Sequence, residues 1–126
     1  MRKIIVTEWV SLDGYTSGPN GEIDYLSFDE RMGKYEGEII DKADTILLGK
    51  TTYDSFAGSW PTVPDKEGIA EEEKAYARKL NAMKKIVISS SIDKADWNNS
   101  EVWNEIDEVK INELKAQDGK DIFIME

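Results

Sequence analysis

At 126 residues, with apolar and charged positions mixed along its whole length, the chain predicts one compact domain with room for a real core. It has neither cysteine nor histidine, which removes disulfides, thiolate nucleophiles, cysteine metal sites and the usual imidazole base, and leaves chemistry to carboxylates, hydroxyls, lysine or a cofactor. A formal charge of −10 argues against nucleic acid as a partner, and no run approaches the ~18 apolar residues of a membrane span, so a cytoplasmic protein is expected.

Ile4-Ile5-Val6 with Trp9-Val10 reads as a buried first strand, entered directly from Met1 without a signal-peptide pattern. Ser11 to Gly21 follows, and Gly14, Gly18, Pro19, Asn20 and Gly21 mark it as a long, mobile loop. Ser27 and Glu30 form a capping-box pair, and the helix behind them sets Phe28, Met32, Tyr35 and Ile39 on one face as far as Asp41. Thr45 to Leu48 is the second strand. Thr51 or Thr52 starts a short helix carrying Tyr53 and Phe56, which Gly58-Ser59-Trp60-Pro61 stops. Glu67 to Leu80 reads as a surface helix with Ile69, Tyr76, Ala77 and Leu80 inward and Glu71-Glu72-Glu73 as a solvated first turn. Lys85 to Ser89 is the third strand, running into Ser90 and Ser91. Val102-Trp103 is a short strand, Asn112 to Gln117 a turn or two of helix, and Asp118-Gly119 a turn into Ile122 to Met125. Strands alternating with helices imply a mainly parallel sheet covered on both faces, a three-layer α/β/α architecture.

The junction Thr45-Ile-Leu-Leu-Gly-Lys-Thr-Thr-Tyr53 is the most informative stretch. A buried strand ends at Gly49 where a helix opens, so unpaired N–H groups and the positive end of the helix dipole face whatever binds there, with Lys50 as a nearby cation. That chemistry suits a phosphate-bearing ligand. A nucleotide-triphosphatase loop is excluded, because it needs a second glycine where Asp44 stands. The plain alternative is that Gly49 turns the chain and Thr51 caps the helix. In a parallel sheet, ligands sit at the carboxyl ends of the strands, so the loop after the first strand, Gly49, the serine triplet and Glu126 are expected along one rim. Lys84 and Lys85 precede their strand and belong to the opposite rim.

Taken in order, several pieces resemble one family: Val10-Ser-Leu-Asp-Gly-Tyr15 with Gly18-Pro-Asn-Gly-Glu-Ile-Asp24, then Ala43 to Tyr53, Trp60-Pro61, Lys85-Ile-Val-Ile-Ser89 and Gly119-Lys-Asp-Ile122. The set is similar to the dihydrofolate reductase-like superfamily, and within it to small bacterial proteins resembling the reductase domain of riboflavin biosynthesis. The resemblance implies a reductase that uses NADPH to deliver hydride to a C=N or C=O bond of a riboflavin-pathway pyrimidine or pterin-like ring. It implies that Gly49, Lys50, Thr51 and Thr52 hold cofactor phosphates and that Ser89 and Ser90 approach the adenosine ribose and its 2′-phosphate. Backbone around Val10 and Ser11 would meet the nicotinamide amide, and the Asp13 to Gly21 segment, with Gly18, would form a lid. Family members often carry an arginine just after the first serine of the third-strand motif. Ser90 stands there, which leaves the choice between NADPH and NADH open.

On the substrate side the resemblance points to Asp24 as a hydrogen-bond partner or proton relay, with a turn cap as its plain alternative. Trp60 would wall the pocket or plug the core beneath it. Similar proteins continue past the strand matching Asp121 to Met125, so the fold is expected to be truncated at its C-terminal end, with open sheet edges that favour a homodimer. The alternative function is a cofactor-binding or dimerising member without catalysis.

Overall fold

The computed structural model describes residues 1–22 and 30–125. Five parallel strands form one sheet: β1 (Ile4–Thr7), β2 (Ala43–Gly49), β3 (Lys84–Ile88), β4 (Ser100–Trp103) and β5 (Asp121–Met125), in the spatial order β1-β5-β2-β3-β4. The central strands read as near-continuous apolar runs because both faces are covered. Ile46, Leu48, Val87, Phe123 and Met125 face a core closed by the helices α1 (Glu30–Asp41), α2 (Lys50–Ser59) and α3 (Glu71–Ala82). Leu47, Ile86, Ile122 and Ile124 face the other way, under α4 (Glu108–Ala116), whose Leu114 and Ile111 pack on them. The fold is the expected three-layer α/β/α.

The unequal layers follow from the hand of the crossovers. The steps from β1 to β2 and from β2 to β3 run in one direction across the sheet, and that from β4 to β5 runs back. Connections of a single hand must then put their helices on opposite faces, so α4 lies apart from the others.

Several boundaries differ from the sequence expectation. β1 ends at Thr7, because β5 supplies partners only for Ile4 to Thr7, and Trp9 and Val10 lie beyond the last rung. It is an edge strand, with Val6 64% exposed, not a buried one. The expected cap at Ser27 and the apolar Phe28 lie outside the described residues. On α1, Tyr35 points outward at 62% exposure, and Met32, Glu36, Ile39 and Ile40 form the inward side. α2 starts at Lys50 with extended Gly49 as its cap, not at Thr51 or Thr52. Gly58 to Pro61 does not end the winding: a 3₁₀ helix continues over Trp60–Asp65, since a proline in the first turn costs no intrahelical hydrogen bond. Gly68, at φ +77°, breaks the expected Glu67 start and delays α3 to Glu71. α4 is longer than expected because the Asp107 side chain accepts from the Val109 N–H at 2.8 Å and fixes its first turn.

At the amino ends of the strands, Arg2 is buried against Asp44, where the β2–β5 register shifts. Its Nε donates to the Lys120 carbonyl (2.7 Å), Nη1 to that of Leu114 (3.2 Å) and Nη2 to Asp44 and to Thr45 Oγ1 (3.1 Å). Burial alone would raise the Asp44 carboxyl, but the Lys120 N–H, the Thr45 hydroxyl and the Arg2 guanidinium hold it below its usual range. Gly119 lets these groups close up: a Cβ there would lie 2.7 Å from Asp44 Oδ2.

Candidate functional site

Because all five strands are parallel, their carboxyl ends share one rim. That rim gathers the 8–22 segment after β1, Gly49 to Thr52 after β2 and Ser89 to Ser91 after β3. Glu126 and Asp24 lie outside the described residues.

The 8–22 segment is built from two local turns. Ser11 N donates to the Tyr15 carbonyl (2.8 Å) and Gly14 N to that of Ser11 (2.9 Å), with Gly14 at φ +92°. The Ser11 hydroxyl bonds Asp13 and accepts from the Tyr15 N–H (3.0 Å), so it is spent within the turn. Gly18 N donates to the Glu22 carbonyl (2.8 Å) and Gly21 N to that of Gly18 (3.0 Å), and a Cβ on Gly18 would collide with the Glu22 side chain. Val10 is 54% exposed on the rim.

At β2 the expected anion site has a physical basis. Among the described residues no side chain caps α2, so its first N–H groups are left without a capping acceptor, and the space at Gly49 is open: an added Cβ would meet nothing within 4 Å. Thr51 is exposed and Thr52 half-buried on this first turn. Lys50 pairs with Asp54 one turn on, Nζ to Oδ2 at 2.6 Å. At β3 the end closes on itself, with Ser89 Oγ 3.0 Å from Ser91 Oγ and accepting from the Ser91 N–H (3.2 Å). Ser89 is buried and Ser90 exposed.

Two clefts open from this rim. The larger, about 770 Å³, runs along α2 from Lys50, Tyr53 and Asp54 to Pro61 and Asn81, with Ile92, Lys94, Asp96, Trp97 and Asn98 opposite. Its far wall is pinned: Trp97 N–H donates to the Tyr53 hydroxyl (3.0 Å), Trp97 Nε1 to Asn81 Oδ1 (2.8 Å), and Asn104 Nδ2 to the Ile92 carbonyl (3.0 Å). Below it, buried Lys85 donates to the carbonyls of Asn81 (2.9 Å), Met83 (2.9 Å) and Asn98 (2.6 Å), with its Nζ 4.4 Å from the centre of the Trp97 ring. Lys85 is thus a tie between α3 and the 98 region, far from any phosphate role.

The second cleft, about 400 Å³, lies where β1 ends, between Val6, Thr7, Glu8 and Trp9 on one side and Met32, Tyr35 and Glu36 of α1 on the other. Among the described residues, buried side-chain oxygens without a partner are Thr7 Oγ1, Glu36 Oε2 and Ser100 Oγ, and the first two line this cleft. Burial raises the Glu36 carboxyl, so it keeps its proton to higher pH than a solvated glutamate. Burial, helped by the Glu36 charge, also raises the Tyr76 phenol on α3. Tyr76 packs on Trp60 with the rings tilted by 49° (5.2 Å between ring centres), and Trp60 meets Phe56 edge-on (6.3 Å). Trp60 therefore sits in the aromatic layer of the core, while its neighbour Pro61 lines the α2 cleft.

The sequence reading did not single out Glu36 or Thr7, whose unpartnered oxygens line the second cleft. For Glu36 a signal existed: it interrupts the apolar line Met32, Glu36, Ile40 at helical spacing, where an acid has no place unless something binds it.

A family model described as the RibD C-terminal domain matches residues 2–124. A Bacillus subtilis (strain 168) protein described as uncharacterized protein YyaP is 32% identical over 123 residues, which span 98% of this chain and 62% of that protein. A crystal structure of a candidate riboflavin biosynthesis protein from Shewanella sp. PV-4 superposes with a TM-score of 0.63 at 16% identity, over 100% of this chain and 64% of that one. The chain thus spans under two-thirds of the length of each.

Proposed function

The chain belongs to the RibD C-terminal domain family, and from that premise we propose that it is an NADPH-dependent reductase of a small heterocycle, a riboflavin-pathway pyrimidine or a pterin-like ring. The observation that carries the reading is the pair of unpartnered oxygens, Glu36 Oε2 and Thr7 Oγ1, in one cleft beside the loop that would receive the nicotinamide. Unpaired buried polar groups are costly, and a ring edge with N–H and C=O groups would satisfy both.

The rim fits the cofactor on its own geometry, since an uncapped helix start and open space at Gly49 suit a pyrophosphate. NADPH, when bound, supplies the hydride. Gly49, Lys50, Thr51 and Thr52 would hold its phosphates, the Val10 backbone its carboxamide, and Ser90 the ribose end; the expected Ser11 contact is not available to it, because the Ser11 N–H and carbonyl are both bonded within the turn to Tyr15 and Gly14. Glu36, whose carboxyl burial raises above its ordinary value, would face the ring being reduced and could exchange a proton with it. Asp24 remains a second candidate for that proton. Trp60 positions the site from behind, through Tyr76.

Titration of nicotinamide fluorescence at low salt tests the reading, with Lys50→Ala expected to weaken binding and a pyrimidine or pterin ring expected to drive cofactor oxidation. Absence of saturable NADPH binding ends it. One observation favours a second reading, binding without turnover: the Glu36 cleft is built against an edge strand and, among the described residues, is walled by β1, the Glu8–Trp9 segment after it and α1. A second copy paired along β1 would supply the missing wall, making a homodimer the competent form. Sedimentation showing only monomer, together with NADPH binding and no oxidation by any ring, would select that second reading.

A further inference from the structure

Among the described residues β1 pairs with β5 alone, and its other side is open. The Ile122 N–H donates to the Lys3 carbonyl (2.8 Å), so by the alternation of a strand Lys3, Ile5 and Thr7 turn their backbone groups toward β5, and Ile4 and Val6 turn theirs to the open side. Side chains alternate as well. Ile4 packs with the α4 layer, which puts Val6 on that face; Ile5 packs with the layer of α1 to α3 and Thr7 lines the Glu36 cleft, which puts Lys3 on that side.

A strand that pairs with its own copy about a two-fold axis normal to the sheet runs antiparallel to it. The register centred on Ile5 sets Ile4 opposite Val6 of the second copy and Val6 opposite its Ile4, so every outward N–H and C=O of these residues finds a partner. Centring on Ile4 would call on the Arg2 N–H, already given to the Lys115 carbonyl (3.1 Å), and centring on Val6 would call on Glu8, beyond the last rung. The Ile5-centred register also covers Val6, 64% exposed in the single chain, with an isoleucine of the same face.

The consequence for the site lies on the other face. Lys3 of the second copy falls opposite Thr7, in a non-hydrogen-bonded pair whose Cα atoms stand about 4.5 Å apart. Thr7 Oγ1 is without a partner among the described residues, and the cleft it lines holds the acids Glu8 and Glu36 and, among those residues, no base. Lys3 is exposed and forms no ion pair among the described residues. An edge lysine ordinarily discourages pairing. In this register it meets a hydroxyl and an acidic cleft in place of another lysine, so the charges favour the pair.

We propose that two copies of this chain pair along β1 in the Ile5-centred register, and that Lys3 of each enters the Glu36 cleft of the other, donating to Thr7 Oγ1 and closing the open side. The Thr7 hydroxyl keeps its own proton to give to a ring carbonyl. The pairing stands on strand geometry, and its part in turnover rests on the reductase reading above. Because the shared strand is short, single chains prevail in dilute solution and the paired form grows with concentration.

The chain has no cysteine, so introduced cysteines read the register directly. Under oxidised glutathione, Lys3→Cys/Thr7→Cys is expected to link into dimers, whereas Lys3→Cys or Thr7→Cys alone stays a single chain; the two positions are too far apart along one extended strand to link within a chain. In sedimentation, the mass of the wild type should rise with concentration from one copy toward two. Val6→Lys, an exposed change, should hold it at one copy with an unchanged circular dichroism spectrum, and Lys3→Glu should weaken pairing about tenfold while Lys3→Arg preserves it. NADPH oxidation per chain should rise along the wild-type association curve and stay low in Val6→Lys at unchanged NADPH affinity. A wild type that remains single at every concentration, a dimer indifferent to Val6→Lys, or single-cysteine variants that link as readily as the double one overturns the pairing and leaves the reductase reading standing. A dimer linked in this register that binds no NADPH refutes the reductase reading and leaves the pairing standing.

Discussion

Lys85 gives the strongest prediction about stability. It is fully buried on β3, its hydrogen-bond partners are carbonyls and not carboxylates, and burial lowers its ammonium from 10.5 to about 8. Below about pH 8 both folded and unfolded chains carry the charge, and the folded one bears the full cost of burying it. Between about pH 8 and 10.5 the unfolded chain binds a proton that the folded chain has released, so stability rises with pH by up to about 1.4 kcal/mol per unit. The whole interval is worth about 3 kcal/mol. Tyr76 opposes it at the top: its phenol is raised in the fold, so stability falls above the ordinary value of 10.0. The clean window is therefore about pH 8 to 10, with a gain on the order of 2 kcal/mol. Urea titrations followed by tryptophan fluorescence read it, and Lys85→Met should abolish the slope. A flat free energy across that window, or an equal slope in Lys85→Met, would refute the burial argument.

Glu36→Gln should be more stable than wild type at pH 7 and equal to it below 4.5, because a raised carboxyl costs stability once the unfolded chain ionises; turnover should fall in the same variant. Gly119→Ala should lower the unfolding free energy by about 1–2 kcal/mol in urea titrations, since its Cβ meets Asp44 Oδ2 at 2.7 Å and Arg2 Cζ at 3.0 Å and must shift a half-buried ion pair. Tyr53→Phe leaves the Trp97 N–H without its acceptor, costing about 1–2 kcal/mol by denaturation and weakening dinucleotide binding through the loosened cleft wall.

What was legible in the sequence is what periodicity and turn chemistry encode locally. Ile46-Leu47-Leu48 and Ile86-Val87 announce strands buried on both faces, and Gly49 before Lys50-Thr51 announces the helix start on the rim. Strand order was not legible, because pairing partners lie far apart in the chain. That hid the edge position of β1, which is why Trp9 and Val10 were expected in a strand that stops at Thr7. The 3₁₀ helix was hidden for a different reason: Trp60-Pro61 reads as a stop, yet proline is compatible with a first turn. Glu36 escaped because what marks it, a buried Oε2 with no partner among the described residues, is a property of packing that no local pattern carries.

The placement of β5 decides what size of ligand the rim suits. Were β1 and β2 neighbours, the loop after β1 would lie one strand spacing from Gly49, and a single small molecule would span both. Instead β5 lies between them, so the ends of β1 and β2 are about 10 Å apart, and those of β1 and β3 about 14 Å, at two and three strand spacings. A ligand that reaches both Val10 and Ser90 must therefore be extended, with its middle crossing the uncapped helix start at Gly49. Two ring-bearing ends joined by a charged pyrophosphate have that form, whereas a mononucleotide would satisfy one cleft and leave the other empty. The backward step from β4 to β5, which among the described residues leaves α4 alone on its face, is thus the same step that would space the rim for the proposed dinucleotide.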